Sequence, residues 1–145
     1  MRFEIEPFEG AIPIRFGMSE ADVARILGDP EHAGVNSSGY RNFTYGGPVM
    51  SIGFAKEDRG VNHVAFSAEV EVVFRGLNVF APGGFDQMCK LDGNPLECYG
   101  SIMLLKLGIE FNRFTTEEDA KVVAILPREV VAILDRKHLK PFPIV

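Results

Sequence analysis

The stretch that decides the fold is IRFGMSEADVARILGDPEH, residues 14–32. Ser19 is placed to cap a helix, and Asp22 stands three residues on to return the bond, the reciprocal pattern of a capping box. Met18 and Val23 occupy the two positions of a hydrophobic staple. Glu20 and Asp22 put negative charge in the first turn, where the helix dipole favours it. Val23, Ile26 and Leu27 follow i, i+3, i+4 spacing and make one apolar stripe. Gly28 closes the helix and Pro30 prevents its continuation. The spacing predicts a helix over residues 20–27, with both ends specified and a stripe so narrow that it must dock on another layer.

Outward from this helix, EHAGVNSSG (31–39) is rich in turn formers and reads as a loop. YRNFTYGGPVMSIGFA (40–55) reads as a hairpin: aromatic residues precede Gly46-Gly47-Pro48, and Met50, Ile52 and Phe54 alternate with smaller residues. VNHVAFS (61–67) is a third strand with Val64 and Phe66 on one face, and Val70, Val72 and Phe74 extend the alternation. The pattern then resets. Phe85, Met88 and Cys89 form the stripe of a second short helix, which stops at Gly93 and Pro95. Met103, Leu105, Leu107, Ile109 and Phe111 alternate as one unbroken strand, and AKVVAILP (120–127) is its return. Residues 128–138 read as a terminal helix, with Pro127 and Glu129 near its start and Arg136, Lys137 and His138 near its end. Val130, Ile133 and Leu134 would be its buried stripe.

The two halves echo one another. ILGDPE (26–31) is matched by KLDGNPLE (90–97), and VMSIGFAKEDRGVNHVAFS (49–67) by LLKLGIEFNRFTTEEDAKVVAILP (104–127). The separation shrinks from 65 at the prolines (95 − 30) to 57 at Phe54 and Phe111 (111 − 54). This pattern predicts a degenerate tandem repeat of a helix-plus-hairpin unit, residues 14–68 and 74–127, within one domain spanning 1–145. An α+β chain can also show this order without duplication; the match of turn residues in kind favours duplication. The expected class is α+β: an antiparallel sheet, short helices packed on one face, a C-terminal helix, and an opposite face partly open for binding.

Composition narrows the partners. The chain has 145 residues and 12 Phe, a type that buries much area with no polar atom to satisfy, so most should be core. The formal net charge of −5 argues against nucleic acid or an anionic membrane as partner, and is compatible with a basic protein. No segment approaches the ~20 apolar residues of a membrane helix, and MRFEIEPFEG (1–10) lacks the pattern of a signal peptide. Cys89 and Cys98 do not make a disulfide framework. The expectation is a cytoplasmic protein, with association between copies left open.

The segment FGMSEADVARILGDP (16–30) resembles a motif of outer-membrane assembly lipoproteins of the SmpA/OmlA type and of β-lactamase inhibitor protein-like domains. It is carried by Gly17, Met18, Ser19, Val23, Ile26, Leu27, Gly28 and Pro30. The tandem arrangement is more similar to the inhibitor, and the motif also resembles the start of small bacterial immunity-type proteins that neutralise a toxin by binding it. The resemblance implies a protein-binding module.

The residues carry no catalytic signature. His32, His63 and His138 stand at no metal-ligand spacing with one another or with cysteine, so no metal is expected. Ser37-Ser38-Gly39 is not a nucleophile elbow, and Gly46-Gly47-Pro48 and Pro82-Gly83-Gly84 lack the Lys and Ser/Thr of a phosphate loop, so no cofactor is expected. Cys89 reads as a small buried hydrophobe. Tyr40, Arg41 and Tyr45 are of types enriched in protein interfaces and flank the 31–39 loop. Glu57-Asp58 and Glu117-Glu118-Asp119 fall in matching turns and could form an acidic rim toward a basic toxin or enzyme. These eight residues are the expected partner contacts of a non-enzymatic immunity- or inhibitor-type module. An adaptor, or a small-ligand binder with a cleft between the halves, is the alternative.

Overall fold

A computed structural model describes residues 1–47, 49–115 and 120–144. The N-terminal ribbon comprises β1 (Arg2–Glu6), β2 (Gly10–Ile12) and β3 (Ile14–Arg15). After it come α1 (Glu20–Leu27) and four strands, β4 (His32–Val35), β5 (Arg41–Tyr45), β6 (Met50–Phe54) and β7 (Val61–Ser67). A small hairpin, β8 (Glu71–Phe74) and β9 (Leu77–Asn78), leads to α2 (Gly84–Asp92). Four more strands follow, β10 (Leu96–Cys98), β11 (Ser101–Leu104), β12 (Ile109–Asn112) and β13 (Val122–Ile125), then α3 (Arg128–Ala132) and β14 (Lys140–Pro141).

The chain is α+β, with mostly antiparallel sheet and short helices. Two sheets replace the single one expected. Nine strands run in the order β14-β10-β11-β12-β13-β7-β6-β5-β4, all antiparallel, and five run β3-β2-β1-β8-β9, with β1 and β8 parallel. Helix followed by a four-strand meander therefore occurs in each half, and the meanders meet through their last strands, β7 and β13. The register is symmetric about this seam. Ile52 pairs with Val64 and Phe43 as Phe111 pairs with Val123 and Ile102. Matching positions are 59 apart throughout these strands (111 − 52 and 102 − 43). In pairing register Phe111 thus stands where Ile52 does, not where Phe54 does.

The inner face of the large sheet carries the main core: Phe43, Ile52, Phe54, Val64, Phe66, Ile102, Leu104, Phe111, Val123 and Ile125 are all buried. The small sheet covers its middle, where the Phe3 and Phe66 rings lie 4.7 Å apart. Helix α1 covers one flank through buried Val23, and α2 the other through Met88, Cys89 and Phe85, whose ring meets Phe111 at 5.1 Å. The expectation that Phe is mostly core holds for Phe3, Phe43, Phe54, Phe66, Phe74 and Phe111.

Helix α1 has the predicted bounds and caps. Ser19 Oγ accepts from the Asp22 N–H at 3.1 Å and Asp22 Oδ2 accepts from the Ser19 N–H at 3.3 Å. The Gly28 N–H donates to the Ala24 carbonyl. Gly17, at φ 90°, is pressed against Gly60: a Cβ on Gly60 would stand 2.9 Å from the Gly17 Cα. The motif glycine thus serves a chain crossing. Helix α2 closes at Gly93, and buried Asp92 beside it accepts from the Asn94 and Lys106 N–H groups, tying the helix end to the β11–β12 turn.

Three expectations are corrected. Residues 32–35 form β4 and are not loop. The stretch 101–111 is not one strand: it folds back through the turn at 105–108, with Gly108 at φ 68°. Apolar Leu105 and Leu107 fill that turn and disguise it. The terminal helix is one turn long, ends at Ala132 rather than residue 138, and buries Val131 while Ile133 is exposed. It lies on the outer face of the large sheet, over a second cluster of Met103, Leu126 and Val131 backed by Phe8, Val130, Leu134 and Leu139. Among the described residues, no helix is long and apolar enough to cross a membrane.

Candidate functional site: the outer face of the large sheet

Strand β5 separates two kinds of residue. Arg41, Phe43 and Tyr45 alternate toward the inner face; Asn42 and Thr44 point outward. Arg41 meets Glu20 with contacts of 2.8 and 3.4 Å, and the Tyr45 hydroxyl donates to the Gly28 carbonyl at 3.0 Å. These two side chains pin the ends of α1. The lengths agree: four strand residues span about 13 Å and eight helix residues about 12 Å. Burial, with Asp29 nearby, pushes the Tyr45 phenol up from its ordinary range.

The outer face is shaped by a β-bulge. Gly53 pairs with His63 and Phe54 with Val61, so Asn62 is an extra residue on β7. A bulge bends its strand and re-aims side chains. Asn62 and His63 both line a cleft of about 460 Å³, together with Asn42 and Gly53 on the sheet and Val130 and Ile133 from the α3 segment. Tyr40 stands at its lip, and Arg41 borders it with its guanidinium committed to Glu20. Burial holds the His63 imidazole below its ordinary pKa, so the ring is neutral near pH 7. Neither of its nitrogens hydrogen-bonds to another described residue.

A second cleft occupies the register-equivalent corner. It is lined by Tyr99, Ser101, Asn112 and Val122, each 59 positions beyond a residue of the first: Tyr40, Asn42, Gly53 and His63. Tyr99 and Gly100 form a two-residue hairpin turn at φ 51° and 87°. Left-handed backbone costs a bulky residue about 1–2 kcal/mol, yet Tyr99 is 84% exposed, its ring beside His138. Ile133 is 82% exposed and Tyr40 41%. Three large side chains thus border one face without being buried in the protein.

The remaining candidates are elsewhere. Glu57 and Asp58 lie in the turn between β6 and β7, where Asp58 Oδ1 accepts from the Gly60 N–H at 2.9 Å. Glu117, Glu118 and Asp119 fall outside the described residues. The structure brings Tyr40 to the outer cleft, which Arg41 borders, and turns the side chains of both Arg41 and Tyr45 to the ends of α1 on the inner face. Burial, helped by Asp86 and Asp92, pushes the Cys89 thiol up to about 11, which removes it as a nucleophile near neutral pH. Glu110, on the outer face beneath the C-terminal segment, has its carboxyl raised by burial, against a hydrogen bond from Asn112. Among the described residues no group of three His, Cys, Asp or Glu could hold a metal ion.

Sequence reasoning missed Asn62, His63, Tyr99 and Ile133. A signal for the first two was present: Val61, Val64 and Phe66 are spaced three and then two, and that break in period 2 marks a bulge. Tyr99-Gly100 gave no such signal, since a two-residue hairpin turn favours Asn, Asp or Gly where Tyr99 stands. Comparison with protein-family models, with curated proteins and with solved structures returned no match.

Proposed function

We propose that the protein is a non-enzymatic binding module that engages a protein partner through the outer face of its large sheet and acts by occluding that partner. One observation carries this reading: Tyr40, Ile133 and Tyr99 stand exposed around the same face, two of them at register-equivalent corners. Tyrosines are enriched among the residues that dominate interface energies, and a rigid exposed aromatic costs little entropy to bury. The left-handed backbone at Tyr99 gives a second reason, since strain is retained where it presents a side chain to advantage. The resemblance of residues 16–30 to inhibitor-like domains supports occlusion over scaffolding.

The test compares affinity capture from the native host by three forms: the unaltered chain, Tyr99→Ala, and Ile133→Asp. A stoichiometric protein recovered by the first and lost by the variants, at equal thermal midpoints, supports the reading. Recovery of no stoichiometric partner, or equal recovery by all three, rejects it.

A further inference from the structure

The two corner clefts match in position and differ in chemistry. Where the second has Val122 and Asn112, the first has His63 and Gly53, and only the first has a bulge. The missing Cβ of Gly53 makes room: one built there would come within 3.2 Å of the His63 Cβ. These exchanges go together with the bulge, since the other half pairs in the same register with Asn112 and Val122 in these places.

The cleft offers hydrogen bonds without charge. Asn42, Asn62 and His63 supply both donors and acceptors. Asn42 Oδ1 accepts from Ser51 Oγ at 3.0 Å, which leaves its amide NH₂ free to donate. Arg41 is neutralised by Glu20, and no Asp or Glu lines the cleft among the described residues. One wall is apolar, from Val130, Ile133 and the Tyr40 ring. The volume, about 460 Å³, lies within the usual range for small-molecule sites.

We propose that this cleft binds a neutral polyhydroxylated ring, a sugar residue, with its hydroxyls on Asn42, Asn62 and His63 and its C–H face against Tyr40 and Ile133. Hydroxyls both donate and accept, as these amides and the neutral imidazole do, whereas a phosphate or carboxylate would find no unpaired cation there. The proposal shares Tyr40 and Ile133 with the protein-binding reading and differs from it at Asn42, Asn62 and His63, so loss of sugar binding in His63→Val with partner capture intact separates the two.

The experiment is a titration of ¹⁵N-labelled protein, followed by amide resonances. The probes are glucose, galactose, mannose, N-acetylglucosamine and their common disaccharides, with inorganic phosphate and N-acetylglycinamide as contrasting ligands. The expected result is saturable shifts at Tyr40, Asn42, Gly53, Asn62 and His63 with at least one sugar. Binding should weaken about tenfold, the worth of one or two lost hydrogen bonds, in His63→Val. Tyr40→Ala, at an exposed position that spares the fold, should weaken it as well. The proposal is overturned by any of three results: no saturable shift with any sugar, saturation by phosphate or the amide instead, or unchanged sugar affinity in Tyr40→Ala.

Discussion

Gly53 on β6 stands opposite His63 on β7, and the space a side chain on Gly53 would take is occupied by the imidazole's own stem, 3.2 Å from the position of the missing Cβ. Gly53→Ala therefore has to displace His63 or shift the bulge. Overpacking of this kind costs about 1–3 kcal/mol. Urea unfolding should show a lower midpoint at an unchanged slope, and a variant as stable as the parent would mean that the bulge yields freely.

His63 also fixes how stability responds to acid. Its folded pKa is depressed by burial, so the unfolded chain takes up the proton first. Stability is fully present above the ordinary histidine value of about 6.5 and is lost as pH falls through the lower folded value. The difference in thermal midpoint between the parent and His63→Gln should shift against the parent as pH falls below about 6.5. A difference that stays constant with pH would show that the ring is solvated.

Glu110 works in the opposite direction. Its folded pKa is raised by burial, so its contribution is fully present below the ordinary glutamate value and is lost as pH rises through the folded one. Glu110→Gln keeps an acceptor for Asn112 and removes the charge. It should raise the thermal midpoint at neutral pH, with the gain vanishing below about pH 4. A loss of stability at pH 7 would show that the carboxylate has a partner worth more than its desolvation.

Ser19→Ala removes the side chain that accepts from the Asp22 N–H and leaves Asp22 without the other half of its reciprocal bond. The expected cost is about 1 kcal/mol, read as a drop in unfolding free energy. Helix α1 remains pinned by Arg41–Glu20 and Tyr45–Gly28, so amide exchange should quicken mainly at its first turn.

How far the sequence reached depended on whether a signal was local. Helix α1 was legible to the residue because its caps, stripe and stop lie within twelve positions and the structure uses all of them. Strands β6 and β7 were legible from period 2. The N-terminal ribbon was not: β1 alternates correctly, but its partner β8 begins at Glu71, and no short-range pattern announces a parallel pairing at that distance. The terminal helix was overread because Val130, Ile133 and Leu134 have helical spacing, whereas packing on Met103 and Leu126 selects Val131 and leaves Ile133 outside. For the site, Tyr40 and Arg41 were found by residue type. Arg41 and Tyr45 look alike as interface residues in sequence, and only the alternation of β5 against α1 shows that their polar atoms are already in use.

The parallel pairing of β1 with β8 sets an order of events during synthesis. Arg2 is matched to Glu71, so the ribbon waits for a strand made 69 residues later (71 − 2). At ~5–20 residues per second that interval is several seconds. Phe3 and Ile5, buried in the finished protein, lack the β8 side of their own sheet in that time. The first half can complete its meander while it waits, but the seam between β7 and β13 cannot close until Ile125 has emerged. The nascent chain therefore carries first an apolar ribbon without its partner strand and then, once β8 has been made, an unpaired β7 edge until residue 125, two successive periods of exposure to aggregation and to chaperones.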